Sequence, residues 1–595
     1  MAETADIEWT PEGAPRSRRF QDIYFSREGG LDEARAVFLQ GCGLPDAWRG
    51  RRRFVVGELG FGTGLNVLAL LQLWARARPA GGRLNVFSVE AYPLTRAAAA
   101  RALDAWPQVA SLAAPLLAAW PEAPGLHRID LPDVGAVVDV AVAEAAEALA
   151  AWQGRADAWF LDGFSPARNP QMWREEVLRL VAARSAPGAR AATFTVAGAV
   201  RRGLQAQGFS VAKRPGFGAK GERLEARLAG EPAESPAPAR VCVIGAGVAG
   251  AALARAFLAE GVSVTVLDRS GPAAAASGNP AALVTPRLDA GGGAVARLHA
   301  QAFRRAGRLV RREAPEAVIA EGALQLEAAD RDARRFEALA AGEVYGPGAL
   351  VRLTAEAAGE RLGEPVPCGG LWMPQALVVE PAALIRRWLE GARLETGEAA
   401  ALQRDGAAWR VLDGSGRVLA EAEAVCVAAG CDSAALLPGL RLQPVRGQVS
   451  LAAWIGPVTA AAWGGYVVPT RSGVLFGATH DRDDEDAGLR PADHARNLQL
   501  LARRRPRLAA ALAEGPLEGR AGVRAATPDR SPSAGPVGGE AGPMALTGLG
   551  GRGFVLAPLL AEHLAALVAG APSPLPAPLA ALVAPDRFRQ GPASP

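Results

Sequence analysis

Apolar residues in this chain come in short unbroken runs, and most runs lead into an Ala/Leu-rich stretch with helical spacing. Runs at 54–57, 86–89, 157–161 and 191–195 read as strands, and 22–26 as a strand or extended segment. Helical spacing occurs over 31–40, from 65 to about 76, and around 200–207. Strands alternating with helices predict a doubly wound α/β sheet. The pattern then restarts. Runs at 241–244 and 262–267 flank a second Ala/Leu-rich helix, and a long helix is expected over about 294–313. Between roughly 320 and 480 strands and helices mix, as an inserted α+β subdomain covering a substrate would require. The run 425–430 reads as a buried strand returning to the earlier sheet. Strands follow within 445–480, at 466–469 and 473–479, and a final helix begins at 557.

At 595 residues the chain exceeds one core. The segment Gly230 to Ala239 carries three prolines in ten residues, the composition of a semi-extended spacer. Domains are therefore expected at 1–230 and 240–595, joined by a linker at 231–239.

Composition narrows the class without naming a chemistry. The chain is 50% apolar and 21% charged, with a net charge of +4, as befits folded α/β domains rather than disorder. Among 65 basic residues only Lys213 and Lys220 are lysines, so arginine clusters such as Arg51 to Arg53 read as compositional bias and solvated surface. Five cysteines show neither C-x-x-C nor metal-ligand spacing; reduced buried thiols and no metal are expected. The first residues show no signal-peptide pattern, and no charge-free apolar span follows. No membrane partner and a cytoplasmic location are expected.

The candidate chemistry sits where the two strand–helix patterns begin. At the second, Gly245, Gly247 and Gly250 follow the strand at G-x-G-x-x-G spacing, and Asp268 closes the next strand roughly 20 residues on. The glycines serve a tight turn, backbone approach to a pyrophosphate and close helix–strand packing. The helix start faces phosphate with free N–H groups, and Asp268 can accept ribose hydroxyls. A second Gly-rich turn, Gly548 to Phe554, enters a helix some 300 residues later. A cofactor touched at both places suits FAD better than NAD.

At the first, Glu58 precedes Gly60, Gly62 and Gly64, spaced G-x-G-x-G. This loop suits S-adenosylmethionine (SAM), with glycine backbone against the methionine part and the acid facing its ammonium group; another nucleotide is the alternative. Glu90, ending the next strand, is placed to hold both ribose hydroxyls. Asp162 ends the strand 157–161, at the edge where doubly wound sheets bind ligands. It can orient an amine nucleophile or take its proton, since an alkylamine with a pKa of about 10 attacks only when neutral. Capping of the following helix is the structural alternative. Both lysines fall in 213–220, read as a loop that meets a phosphate backbone or as chance placement.

These motifs carry two resemblances. Residues 240–570 resemble the D-amino-acid oxidase/glycine oxidase class of flavoproteins through V-I-G-A-G-V-A-G, A-A-S-G-N, V-R-A-A-T-P-D and G-G-R-G-F-V-L-A-P. Residues 16–225 resemble the methyltransferase half of the MnmC family through D-I-Y-F-S-R-E-G-G, G-E-L-G-F-G-T-G-L-N, F-S-V-E-A-Y-P-L and D-A-W-F-L-D-G-F-S-P-A-R-N-P-Q-M-W. Fused in this order, the whole chain is similar to that family of bifunctional enzymes, which complete a wobble-uridine side chain in bacterial tRNA. The resemblance implies FAD-dependent removal of the carboxymethyl group from 5-carboxymethylaminomethyl-(2-thio)uridine, releasing glyoxylate. SAM-dependent methylation of the exposed amine would follow. It implies that Asn66 belongs to the SAM site, and Ser277, Gly278, Asn279, Gly551, Arg552 and Gly553 to the FAD site. Arg524 would pair with the substrate carboxylate. Tyr466 and Arg552 are pocket candidates or ordinary structural residues. One position departs from the family: its Gly-Asp pair near adenine is Ala143-Glu144 here, where Glu144 can still accept a hydrogen bond from the cofactor but through a longer side chain.

Two rivals use the same residues. One is a small-molecule amine oxidase fused to an N-methyltransferase. The other is an RNA-binding scaffold whose flavin is structural.

Overall fold

The computed structural model describes residues 4–25, 29–218, 221–231 and 238–588. Most of the expected linker, Ser26 and Lys220 lie outside them. The chain divides into two compact units, 1–236 with 570–577, and 237–569 with 578–595. Residues 570–577 group with the first unit. In the first unit the Ser573 amide donates to the Gln153 carbonyl, and the Gln153 side chain donates to the Leu575 carbonyl.

The first unit is built on an eight-stranded sheet. Its middle consists of parallel strands Ser185–Thr193, Ala156–Leu161, Arg53–Leu59, Arg83–Glu90 and Ala136–Val142. Antiparallel strands flank this centre: Gly125–Leu131 on one side, Glu222–Leu228 and Phe209–Pro215 on the other. The unbroken apolar runs are explained by burial on both faces. Along the central strand Val56 packs in the core that holds Leu68, Leu71 and Trp74 of the helix Leu65–Ala77. Its neighbours Val55 and Leu59 face the opposite core, with Leu149, Val177 and Val181.

The second unit contains a six-stranded sheet. Parallel strands Arg393–Thr396, Ser263–Asp268, Arg240–Ile244, Ala424–Val427 and Met544–Thr547 are followed by antiparallel Ser533–Pro536. A separate ten-stranded mixed sheet contains Gln443–Ala453, Tyr466–Pro469, Gly473–Gly477 and Glu518–Ala526, and forms the inserted subdomain. The helix Ala294–Glu313 has the expected bounds. The last long helix spans Gly553–Ala569, starting four residues before its apolar pattern suggests, because the Gly-rich turn feeds directly into it. By length and composition this region is long and apolar enough to cross a membrane, a property absent from the sequence expectation. It is mostly buried, against the helices Val248–Ala259 and Ala294–Glu313.

Candidate active sites

In the first unit the carboxyl ends of the central strands open into a cavity of about 510 Å³. Glycine is required at the loop following Arg53–Leu59. Gly60 has φ +88°, and a Cβ there would lie 3.0 Å from the backbone of Gly163. The carboxylate of Glu90 is aimed by two backbone donors: Gly62 N–H reaches Oε2 at 2.8 Å and Tyr92 N–H reaches Oε1 at 2.9 Å. One acceptor position remains on each oxygen, which suits the two adjacent hydroxyls of a ribose. Asp162 lines the same cavity, and the Asn66 amide donates to its Oδ2 at 2.7 Å. It caps no helix: the next helical turn starts after Asn169 and the next α-helix after Arg174. Glu144 also lines the cavity, exposed at the start of the helix Ala145–Ala151.

Glu58 requires a correction. It does not line the cavity but lies wholly buried beneath the loop, where the Ser88 hydroxyl donates to its Oε2 at 2.5 Å. Burial pushes its pKa up to about 8, aided by the nearby Asp162 and Glu90 carboxylates. Its other oxygen, Oε1, has no hydrogen-bond partner. A carboxyl group buried beside two other acids is more stable protonated than charged. Gly64 likewise stands behind the cavity wall; its φ of +76° turns the chain into the helix Leu65–Ala77. Gly60, Gly62, Asn66 and Glu90 remain in the wall, and this glycine cradle with its aimed acid fits SAM.

Lys213 falls on the strand Phe209–Pro215 rather than in a loop, paired with Glu222 at 2.7 Å across the hairpin. It is away from the cavity wall.

The sequence reading did not single out four rings that line the same cavity: Phe20, Tyr24, Tyr92 and Phe164. Phe20 stacks on Phe164 at 4.8 Å, and Tyr24 meets Phe164 edge-on at 5.2 Å. They come from three separate segments, so no local spacing marks them.

In the second unit a cleft of about 1610 Å³ runs over the carboxyl ends of the six-stranded sheet to the inserted subdomain. That exceeds the roughly 300–1,000 Å³ of an ordinary small-molecule site and suits a dinucleotide with substrate beyond it. Gly245 has φ +107°, and a Cβ there would meet the Ala428 carbonyl oxygen at 2.5 Å. Gly247 faces the cleft, and the Ser277 hydroxyl accepts the Val248 N–H at 3.0 Å, fixing the start of the helix Val248–Ala259. Asp268 accepts Ala246 N–H at 2.7 Å on Oδ2, and Ser270 and Gly271 N–H at 2.8 Å on Oδ1. One position remains on Oδ2 for a hydroxyl. Asn279, Gly551, Arg552 and Gly553 complete the wall, so the residues present fit FAD.

Two expected contacts are instead internal packing. Gly250 lies outside the wall because the helix crosses the strand there: a Cβ would sit 1.7 Å from the Gly245 carbonyl oxygen. Gly278 is also outside; a Cβ would lie 2.1 Å from the Ala273 carbonyl oxygen. Arg552 lines the cleft while its guanidinium ties down Thr285, donating to the hydroxyl at 2.7 Å and the carbonyl at 3.0 Å.

Arg524, on the strand Glu518–Ala526, lines the cleft with Tyr466. Its guanidinium reaches only the Thr479 carbonyl, at 3.4 Å, and has no carboxylate partner among the described residues. Burial lowers its pKa, and raises that of the Tyr466 hydroxyl. A half-buried guanidinium at a cleft wall, with no carboxylate partner among the described residues, can receive an anion. His480, not anticipated, shares this wall; burial and then Arg524 push its pKa down.

Comparison with known proteins accords with this division. Residues 240–567 match the family described as FAD dependent oxidoreductase, and residues 107–229 match S-adenosyl-L-methionine-dependent methyltransferase. The chain is thus a two-cofactor fusion of a SAM-dependent methyltransferase with an FAD-dependent oxidoreductase. A tRNA 5-methylaminomethyl-2-thiouridine biosynthesis bifunctional protein MnmC from Caulobacter sp. (strain K31) is 56% identical over 98% of this chain and 97% of that protein. The protein of the same name from Caulobacter vibrioides is 54% identical, over 98% and 97%. The chain belongs to the MnmC family. Among solved structures, glycine oxidase from Geobacillus kaustophilus aligns at 22% identity and a TM-score of 0.49, over 56% of this chain and 95% of that one.

Proposed function

We propose that the protein completes a wobble-uridine side chain in tRNA in two steps, one in each unit. The first converts 5-carboxymethylaminomethyl-(2-thio)uridine to the 5-aminomethyl form; the second methylates the exposed amine. Support comes from the relatives' printed name, which refers to tRNA 5-methylaminomethyl-2-thiouridine biosynthesis, and from near end-to-end similarity to them. The observation that carries the first step is Arg524, a half-buried cation without a carboxylate partner among the described residues, in the cleft of the second unit.

The substrate arm is an N-substituted glycine. Arg524 pairs with its carboxylate and so holds the carbon between carboxylate and nitrogen in one place. FAD supplies the acceptor for the hydride that leaves this carbon. Loss of hydride and of the amine proton leaves an imine on the substrate; water adds to it and the carbon–nitrogen bond breaks. Glyoxylate departs, and a primary amine stays on the base. In the first unit, Asp162 orients this amine and receives its proton as the nitrogen takes the methyl group that SAM supplies. Asn66 holds the acceptor carboxylate in place.

Nucleoside mass spectrometry of undermodified tRNA incubated with the protein tests this. Without SAM the aminomethyl form accumulates; with SAM the methylaminomethyl form replaces it. Anaerobic bleaching of the flavin by free glycine or sarcosine as efficiently as by modified tRNA would instead favour a small-molecule oxidase. No bleaching by any of them would leave a structural flavin.

A further inference from the structure

We propose that Asn169, with the rings of Phe20 and Phe164, forms a pocket for a uracil-type base beside Asp162. The inference rests on reading the first unit as a methyltransferase for an RNA uridine. It adds how the base is held.

Asn169 is only 8% exposed and lines the SAM cavity, yet its side-chain amide has no hydrogen-bond partner among the described residues. An amide that opens into a cavity and bonds to none of the described residues is free to pair with a ligand there. Its backbone is held firmly. Asn169 N–H donates to the Ser165 carbonyl at 2.9 Å, and Ser165 N–H in turn donates to Asp22 Oδ2 at 3.3 Å. The same cavity is lined by half-buried rings, Phe20 stacked on Phe164 and edged by Tyr92 at 5.8 Å.

An amide edge and aromatic faces lining one cavity match one kind of object, a flat ring with a polar rim. The amide oxygen accepts from the base N3–H while its N–H donates to the neighbouring oxygen. The rings offer stacking surface for a base turned out of its strand. With the base so held, its 5-substituent projects toward Asp162. Arg168, exposed one residue before Asn169, has no ion-pair partner among the described residues and supplies positive charge where a flanking phosphate would pass.

The test is a two-by-two cycle on methylation of a short RNA hairpin carrying 5-aminomethyluridine. One axis is Asn169→Ala; the other is methylation of the base at N3. Either change alone should raise KM about tenfold, and both together little more, since they remove the same contact. SAM affinity, measured by calorimetry, should stay within about twofold in every variant, which also checks the fold. Phe164→Leu should raise KM for the hairpin about tenfold and likewise spare SAM affinity. Effects that multiply, or a parallel loss of SAM affinity, would overturn the base pocket while hairpin methylation itself proceeds. A wild-type protein that binds SAM but does not methylate the hairpin would overturn the underlying RNA reading instead.

Discussion

Single residues carry the chemistry, and each makes its own prediction. Asp162→Asn keeps the hydrogen-bonding shape but removes the proton acceptor, so methylation should slow by about a hundredfold at neutral pH. Because the amine titrates near pH 10, part of the rate should return as pH rises, which a pH profile of kcat will show. Arg524→Met removes the partner of the substrate carboxylate. The loss should be about 1.5–3 kcal/mol, a tenfold to hundredfold fall in the rate of anaerobic flavin bleaching per unit of modified tRNA. Glu58 predicts a stability effect. Unfolded, it ionises near its ordinary 4.5; folded, it holds its proton up to about 8. Between those values the folded state binds the extra proton, so the group's contribution to stability declines as pH climbs through this window. Glu58→Gln, permanently neutral, should match the wild type near pH 4.5 and exceed it near pH 8. The measurement is thermal unfolding without added SAM, where about 1 kcal/mol moves the midpoint roughly 2–4 °C.

At the scale of elements, the two strand–glycine–helix units show how much of each site was legible in advance. The turn positions that face a cavity were, because a tight turn at the carboxyl end of a strand demands glycine in a recurring spacing. Gly60, Gly62, Gly245 and Gly247 line their cavities. Gly250 and Gly64 occupy the same motifs but serve packing and chain direction, and a spacing pattern does not separate those tasks. Gly250→Ala should therefore push helix and strand apart and release the flavin, seen as loss of yellow colour from the purified protein. Lys213 shows the same limit from the other side. Its rarity drew notice, but the hairpin strand pairs it with Glu222, a contact across strands that no local sequence reports.

For the whole molecule, two cavities, each lined by its own unit, imply separable activities. The Asp162→Asn protein should still bleach its flavin with carboxymethylaminomethyl tRNA at the wild-type rate. The Arg524→Met protein should still methylate tRNA that already carries the aminomethyl group. Mass spectrometry of the product nucleosides distinguishes the two blocks: the first variant stops at aminomethyl, the second at the carboxymethylaminomethyl starting form.

The chain's local order determined what depends on near neighbours. Strand and helix periods set two doubly wound sheets; glycine spacing and the acids that follow set two nucleotide-binding turns. Tertiary structure alone decided what depends on distant partners. Burial beneath a loop turned Glu58 from a presumed cofactor contact into a proton-holding prop. Three separated segments converged to raise an aromatic wall, and among the described residues folding left the Asn169 amide in its cavity without a hydrogen-bond partner and the Arg524 guanidinium without a carboxylate partner. Burial and charge compensation are sums over everything nearby in space, and the chain brings those neighbours together only when it folds.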